Sequence, residues 1–160
     1  MTIHFSYEKS KVIQGLRYHF ITRPELRFMI IIVNVFALLS AALFYFKYVG
    51  PLAFFIGSIL WFIMMISVWF LLPGIIYRKT ETFKNSFSMN FDEENFSLGT
   101  ERGSKSWSWQ ALTTMLESPH FFHLYFDSRS FFLVPKNGCK SSDEVIELRR
   151  LLKEKIKKGK

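Results

Sequence analysis

The sequence predicts an α+β membrane protein: a two-helix transmembrane hairpin, then a small antiparallel β-sheet or barrel capped by a C-terminal α-helix. Three observations carry this. Between residues 28 and 76 of the 160-residue chain, Lys47 is the sole Asp, Glu, Lys, Arg or His. Beyond Thr80 the apolar residues alternate with polar ones, the period of half-buried strands. From Val145 to Ile156 they recur at helical spacing instead. With 49% hydrophobic residues and 19 Phe, composition excludes intrinsic disorder, and a single cysteine, Cys139, excludes a disulfide-built secreted domain.

At the N-terminus, Ile3, Phe5 and Tyr7 alternate with His4 and Ser6 and predict a short strand. Val12, Ile13, Leu16 and Phe20 then follow helical spacing, with Lys9, Lys11 and Arg17 elsewhere around the axis. This amphipathic helix is expected either to lie on a membrane surface or to pack against the C-terminal domain.

Residues 28–46 form an uncharged run of 19, about 28 Å of helix and close to a bilayer core. A second run spans about 52–76, longer than a perpendicular crossing needs, so it is expected to tilt, bend or emerge early, with Pro73-Gly74 the point where it bends or leaves the hydrocarbon. The first run begins too late, and is too long, for a cleaved signal core. The five-residue connector ends in Gly50-Pro51, so the spans are expected to be antiparallel, with both termini on one side. Basic residues gather at the termini, so the positive-inside rule predicts an inner (plasma) membrane protein with cytoplasmic termini and a reduced Cys139. Two small-xxx-small pairs near the connector, Ala37 with Ala41 and Ala53 with Gly57, are the candidate span-packing residues. Neither span carries a charge, so no ion path or proton relay is expected.

After Thr80, Phe83, Phe87, Met89 and Phe91 fall in phase as a strand, and Asp92 to Asn95 turn the chain. Phe96 and Leu98 resume the alternation, and a second turn over 99–103 leads to Trp107 and Trp109. Residues 111–117 continue as an extended segment or a single turn, and 121–126 pairs with 130–134 around Asp127, Ser128 and Arg129. Ser141 and Glu144 form a capping box for the last helix, whose apolar face is Val145, Leu148, Leu152 and Ile156 and whose end is loaded with Lys153, Lys155, Lys157 and Lys158. A curved meander of five or so strands closed by one helix describes a pleckstrin-homology-like (PH-like) barrel. The domain division is 1–27, 28–79 and 80–160.

This order of segments resembles the YcxB-like protein family of bacteria. The resembling residues are the strand over 83–91, Ser106-Trp107-Ser108-Trp109 leading to Leu116-Glu117, the run from Phe131 to Pro135-Lys136, and the closing helix to Ile156. The resemblance implies two adjacent spans and a cytoplasmic domain related to bacterial pleckstrin-homology folds; it brings no activity with it.

No set of residues has the spacing of a reactive site, so an enzyme is not expected, nor any cofactor or metal. Gly99 to Ser106 has the wrong spacing for a phosphate loop and joins two strands where such a loop must open a helix. His120 and His123 would fall on opposite faces of a strand, without a carboxylate or thiol at ligand spacing. Trp107 and Trp109 are expected to be buried together, the alternative being a stacking platform for a ligand. Arg23, Arg27, Arg78, Lys79 and Lys84 are the candidate inner-leaflet contacts, beside the reading that they only set topology. The expected partners are the lipid bilayer, including anionic lipid, and a protein partner or a second copy; nucleic acid is not expected, since the Phe-rich strands read as core. The expected function is therefore a non-catalytic membrane protein presenting its domain for protein interaction or self-association. The alternatives are sensing of an anionic lipid or ligand, and an immunity-type or regulatory role acting on a larger membrane partner through the spans.

Overall fold

The computed structural model describes residues 1–100, 103–128 and 130–158, the side chains of Lys157 and Lys158 excepted. The expected turn at Glu101 and Arg102, Arg129 of the second hairpin, and the last two cationic side chains of the closing helix lie outside the described residues. The chain forms two compact units, one of residues 1–15 with 80–160 and one of residues 16–79.

The first unit is α+β. Strand β1 (Thr2–Ser6) pairs antiparallel with β2 (Ser86–Phe91), which continues through β3 (Asn95–Thr100) to β4 (Gly103–Ser108). A second antiparallel sheet holds β5 (Thr114–Glu117), β6 (Phe121–Tyr125) and β7 (Phe131–Pro135). The predicted meander is thus two sheets. The N-terminal strand joins the first of them in register, Ile3 opposite Met89 and Phe5 opposite Phe87, which seats both in-phase sets on one buried face. Trp109 does not continue its strand. It sits in a 3₁₀ turn (Trp109–Ala111), where its ring is buried and its indole N–H donates to the Asp92 carbonyl at 3.0 Å. Trp107 is half-buried and lies over Phe96, with ring centroids 5.7 Å apart.

The closing helix, which we number α5 below, runs Ser142–Lys158. Ser141 Oγ caps it by accepting from the Glu144 amide, while Glu144 reaches back to the Lys140 amide, one residue earlier than a capping box requires. Leu148, Leu152 and Ile156 are buried and share one core with Ile3, Met89, Phe96, Phe122, Leu124 and Val134. Every residue of β6 is buried, because its other face is covered too. Gly15, in helix α1 (Lys9–Thr22), lies so close that an added Cβ would stand 3.0 Å from the Phe121 ring. The first turns of α1 therefore pack on the domain.

In the second unit, α2 covers Pro24–Tyr45. The next helix is continuous over Pro51–Lys79: α3 (Pro51–Ile66), a π-helical turn (Ser67–Leu71) and α4 (Leu72–Lys79). Both helices are long and apolar enough to cross a membrane. Between them Lys47 adopts φ 65° and the Tyr48 amide bonds back to the Leu43 carbonyl, a left-handed helix ending on a non-glycine residue. A π-helical turn stands just before Pro73-Gly74, the point where the sequence is interrupted. Pro73 has no N–H, so the Trp69 carbonyl four residues back loses its helical donor. Arg17 of α1 supplies one: its Nε donates to the Trp69 carbonyl at 2.9 Å, and its guanidinium lies 5.4 Å and 5.0 Å from the Trp69 and Phe70 ring centroids.

Candidate functional site

Three charged residues from separate elements converge at the edge of the second sheet. Glu117 ends β5, Lys136 follows β7, and Arg149 lies on α5. Arg149 grips the carboxylate as a fork, with Nε to Oε2 and Nη2 to Oε1 both at 2.8 Å, and Lys136 Nζ lies 2.6 Å from Oε1. The Lys136 ammonium also stands over the Phe122 ring at 5.2 Å. The Arg149 bonds, followed by those of Lys136, hold the Glu117 carboxyl at about 2, against an ordinary 4.5. A carboxylate so firmly ionised exchanges no proton near neutrality. What it does is tie α5 to the strands β5 and β7.

The outer face of the first sheet has a different character. Its register aligns His4, Ser88, Gly99 and Ser104 in one cross-strand row and Thr2, Asn90, Ser97 and Ser106 in the next. Ser6 opposite Ser86 and Asn95 opposite Ser108 extend the same face. All twelve positions lack Asp, Glu, Lys and Arg, in a chain of net charge +8. Gly99 lies close to Ser88, so that an added Cβ would fall 2.5 Å from the Ser88 hydroxyl. An open groove of about 530 Å³ lies in this face, lined by His4, Ser6, Ser86, Ser88 and Gly99 with Phe5, Phe87, Thr100 and Asn137.

The histidines do not form a pair. His123 is wholly buried on β6 with its Nε2 2.9 Å from Ser118 Oγ, while His120 stands before the strand, its carbonyl accepting from the Lys136 amide. Ser118 Oγ donates to the Phe121 carbonyl and accepts from the Phe121 amide, both at 3.2 Å, which leaves its hydroxyl to accept from His123 Nε2–H. Among the described residues no three His, Cys, Asp or Glu side chains stand close enough to hold a metal ion. Cys139 is half-buried, and burial, then Glu144, raises its thiol pKa and keeps it protonated.

Of the candidate leaflet contacts, Arg23 precedes α2 and its Nε donates to His19 Nε2 at 3.1 Å. Burial, then Arg23, lowers the His19 pKa to about 4, so it is neutral and accepts that bond. Arg27 is exposed in the first turn of α2, Arg78 and Lys79 in the last turn of α4, and Lys84 in a 3₁₀ turn (Glu81–Lys84) beside buried Phe83. The small-residue pairs do not mark a close approach of the two helices. Ala37 is half-buried, Ala41, Ala53 and Gly57 are exposed, and a Cβ on Gly57 would meet nothing within 4 Å. Near the connector the two helices meet through Phe44 stacked on Phe54, centroids 4.5 Å apart.

Two features escaped the sequence reading. Arg149 carries no local signal that it meets Glu117. Arg17 carries an indirect one, since a proline four residues after Trp69 demands a donor from elsewhere.

Residues 91–152 match the YcxB-like protein family. The YcxB-like segment runs from the last residue of β2 into α5, and it contains Trp107, Trp109 and all three members of the Glu117 cluster. The acidic residue Glu117 and Lys136 of the Pro-Lys pair, both among the residues through which the sequence resembles the family, thus meet in space and are joined by Arg149. No curated protein and no solved structure matches the chain.

Proposed function

We propose that this is a non-catalytic protein of the inner membrane, anchored by its helical pair with both termini cytoplasmic, whose PH-like YcxB-like domain binds a protein partner or a second copy at the membrane surface. The exposure of the two long helices carries the reading. Phe36, Leu38, Leu52, Leu60 and Phe62 are all more than half exposed in the isolated chain. Each such side chain gains roughly 1.5–3 kcal/mol on leaving water, so a run of them calls for lipid around it. The charged groups of the domain suit interaction better than chemistry: Glu117 is committed to two cations, and Arg27, Arg78, Lys79 and Lys84 are exposed where the positive-inside rule wants them.

The test is gentle detergent extraction of the full-length protein at native expression, with mass spectrometry of the lipids and proteins that co-purify. Reporter fusions at Lys47 and at the C-terminal end read the topology. A stoichiometric protein or a dimer, with a periplasmic signal at Lys47 alone, is the expected result. Retained anionic lipid without any protein would move the function to lipid sensing. A periplasmic signal from the C-terminal fusion, or recovery in the soluble fraction, would overturn the reading.

A further inference from the structure

We infer that Arg17, held against Trp69 and Phe70, is a binding site for the phosphodiester group of an anionic glycerophospholipid at the inner edge of the membrane. The inference rests on the membrane-anchored reading above and gives that membrane surface a specific ligand.

Arg17 is a cation without a counter-ion. Its Nε is committed to the Trp69 carbonyl, and its guanidinium lies over the Trp69 and Phe70 rings. No carboxylate among the described residues stands within ion-pair distance of it, and its Nη groups meet no acceptor there. The helical pair has none to offer, since between Glu25 and Glu81 the sequence holds no Asp or Glu. In water such a guanidinium is simply hydrated. Against the apolar surface of a span it calls for an anion from outside the chain.

Depth decides which anion is at hand. Counted from Pro51, about 20 helical residues at about 1.5 Å each cross roughly 30 Å of hydrocarbon, and the count ends at Trp69 and Phe70. The neighbouring helix gives the same level. Phe44 stacks on Phe54, and equal steps away from that contact bring Phe70 level with Phe28, within about a turn. Phe28 is where the charge-free run begins, just after Arg27. The guanidinium therefore stands at the boundary where lipid phosphates lie.

The donors suit a phosphodiester. With Nε occupied, the Nη groups remain as a planar fork whose parallel N–H bonds match the two non-bridging oxygens of one phosphate. The carbonyl bond and the ring contacts orient that fork before a lipid arrives, so less freedom is lost on binding. The exposed Trp69 indole N–H has no acceptor among the described residues and adds a neutral donor of the interfacial kind. An anionic lipid is preferred to a zwitterionic one, whose own ammonium already neutralises its phosphate.

The experiment titrates the full chain in mild detergent with phosphatidylglycerol or phosphatidylethanolamine and counts bound lipids by native mass spectrometry. The first phosphatidylglycerol should bind about ten-fold more tightly than phosphatidylethanolamine, the scale of one charge-assisted hydrogen bond. Arg17→Ala should abolish this preference. Arg150→Ala, which removes an exposed charge from α5, should change it by less than about two-fold. Because Arg17→Ala also strips the Trp69 carbonyl of its donor, the comparison is repeated in Pro73→Ala, where residue 73 supplies the N–H. Pro73→Ala alone should keep the preference, and Pro73→Ala with Arg17→Ala should lose it. A preference that survives the loss of Arg17 in that background, or that falls equally in Arg150→Ala, would overturn the site. So would displacement of phosphatidylglycerol by inorganic phosphate, which would assign the fork to a soluble anion. Carbonate washing of native membranes separates the two failures. Membrane-bound protein whose lipid preference ignores Arg17 refutes the site alone, whereas protein released to the soluble fraction refutes the anchoring and the site with it.

Discussion

The bond from Arg17 to the Trp69 carbonyl leads to a double-mutant prediction. Pro73 deprives that carbonyl of its helical N–H, and Arg17 Nε replaces the donor at 2.9 Å while its guanidinium covers the Trp69 and Phe70 rings. A hydrogen bond from a charged donor is worth about 1.5 kcal/mol at the low end suited to this exposed site. The ring contacts add about 0.5–1 kcal/mol. Arg17→Ala should therefore destabilise the turn by roughly 2 kcal/mol, which at 1.4 kcal/mol per decade is about 30-fold faster amide exchange over residues 68–76. Arg17→Lys keeps the charge but not the planar fork, and should lose about half of this. The assay is hydrogen–deuterium exchange of the full-length protein in nanodiscs. In a Pro73→Ala background residue 73 regains its N–H, so the Arg17→Ala effect should shrink to that of the ring contacts alone, about two- to five-fold. An Arg17→Ala effect of the same size with and without Pro73 would refute the reasoning, because Arg17 would then be acting through some other contact.

The Glu117 cluster predicts a pH dependence. Its folded carboxyl at about 2 lies below the ordinary 4.5, so its stabilisation is complete above about pH 4.5 and is lost as pH falls toward 2. At 1.36 kcal/mol per pH unit the gap is roughly 3 kcal/mol, and screening at a carboxylate about a quarter exposed reduces that to roughly 1–2. In denaturant titrations the wild type should lose this much relative to Glu117→Gln between pH 5 and pH 2.5; parallel curves would rule it out. Gly15→Leu should cost about 1–3 kcal/mol by driving a side chain into the Phe121 ring, with Gly15→Ala milder, as read by thermal unfolding. Leu148→Ala, in a fully buried site on α5, should cost about 2–5 kcal/mol, whereas Ile146→Ala on the exposed side of the same helix should stay within about 0.5.

Periodicity made most of the elements legible. The face Leu148, Leu152 and Ile156, and the strand residues Phe87, Met89 and Phe91, are buried as their spacing predicts, because burying one face of a regular element is decided locally. The ends of elements were read less well. The first long helix begins at Pro24, since charged residues tolerated in a helix's first turn make a charge-free count start late. Trp109 leaves its strand for a 3₁₀ turn that lets its indole reach the Asp92 carbonyl, a bond between residues 17 apart that no local pattern displays.

The sequence by itself determined the two long apolar helices, the strand-rich region and the capped closing helix, because hydrophobic period and charge depletion are one-dimensional properties. Only the tertiary structure decided that β1 pairs with β2, that the strands divide into two sheets, and that Glu117, Lys136 and Arg149 share one carboxylate. It alone aligned the polar phases of four strands into a single face of short polar side chains. These are pairings between residues distant along the chain. They depend on register and packing, and a one-residue slip in any strand would scatter them while leaving every local pattern unchanged.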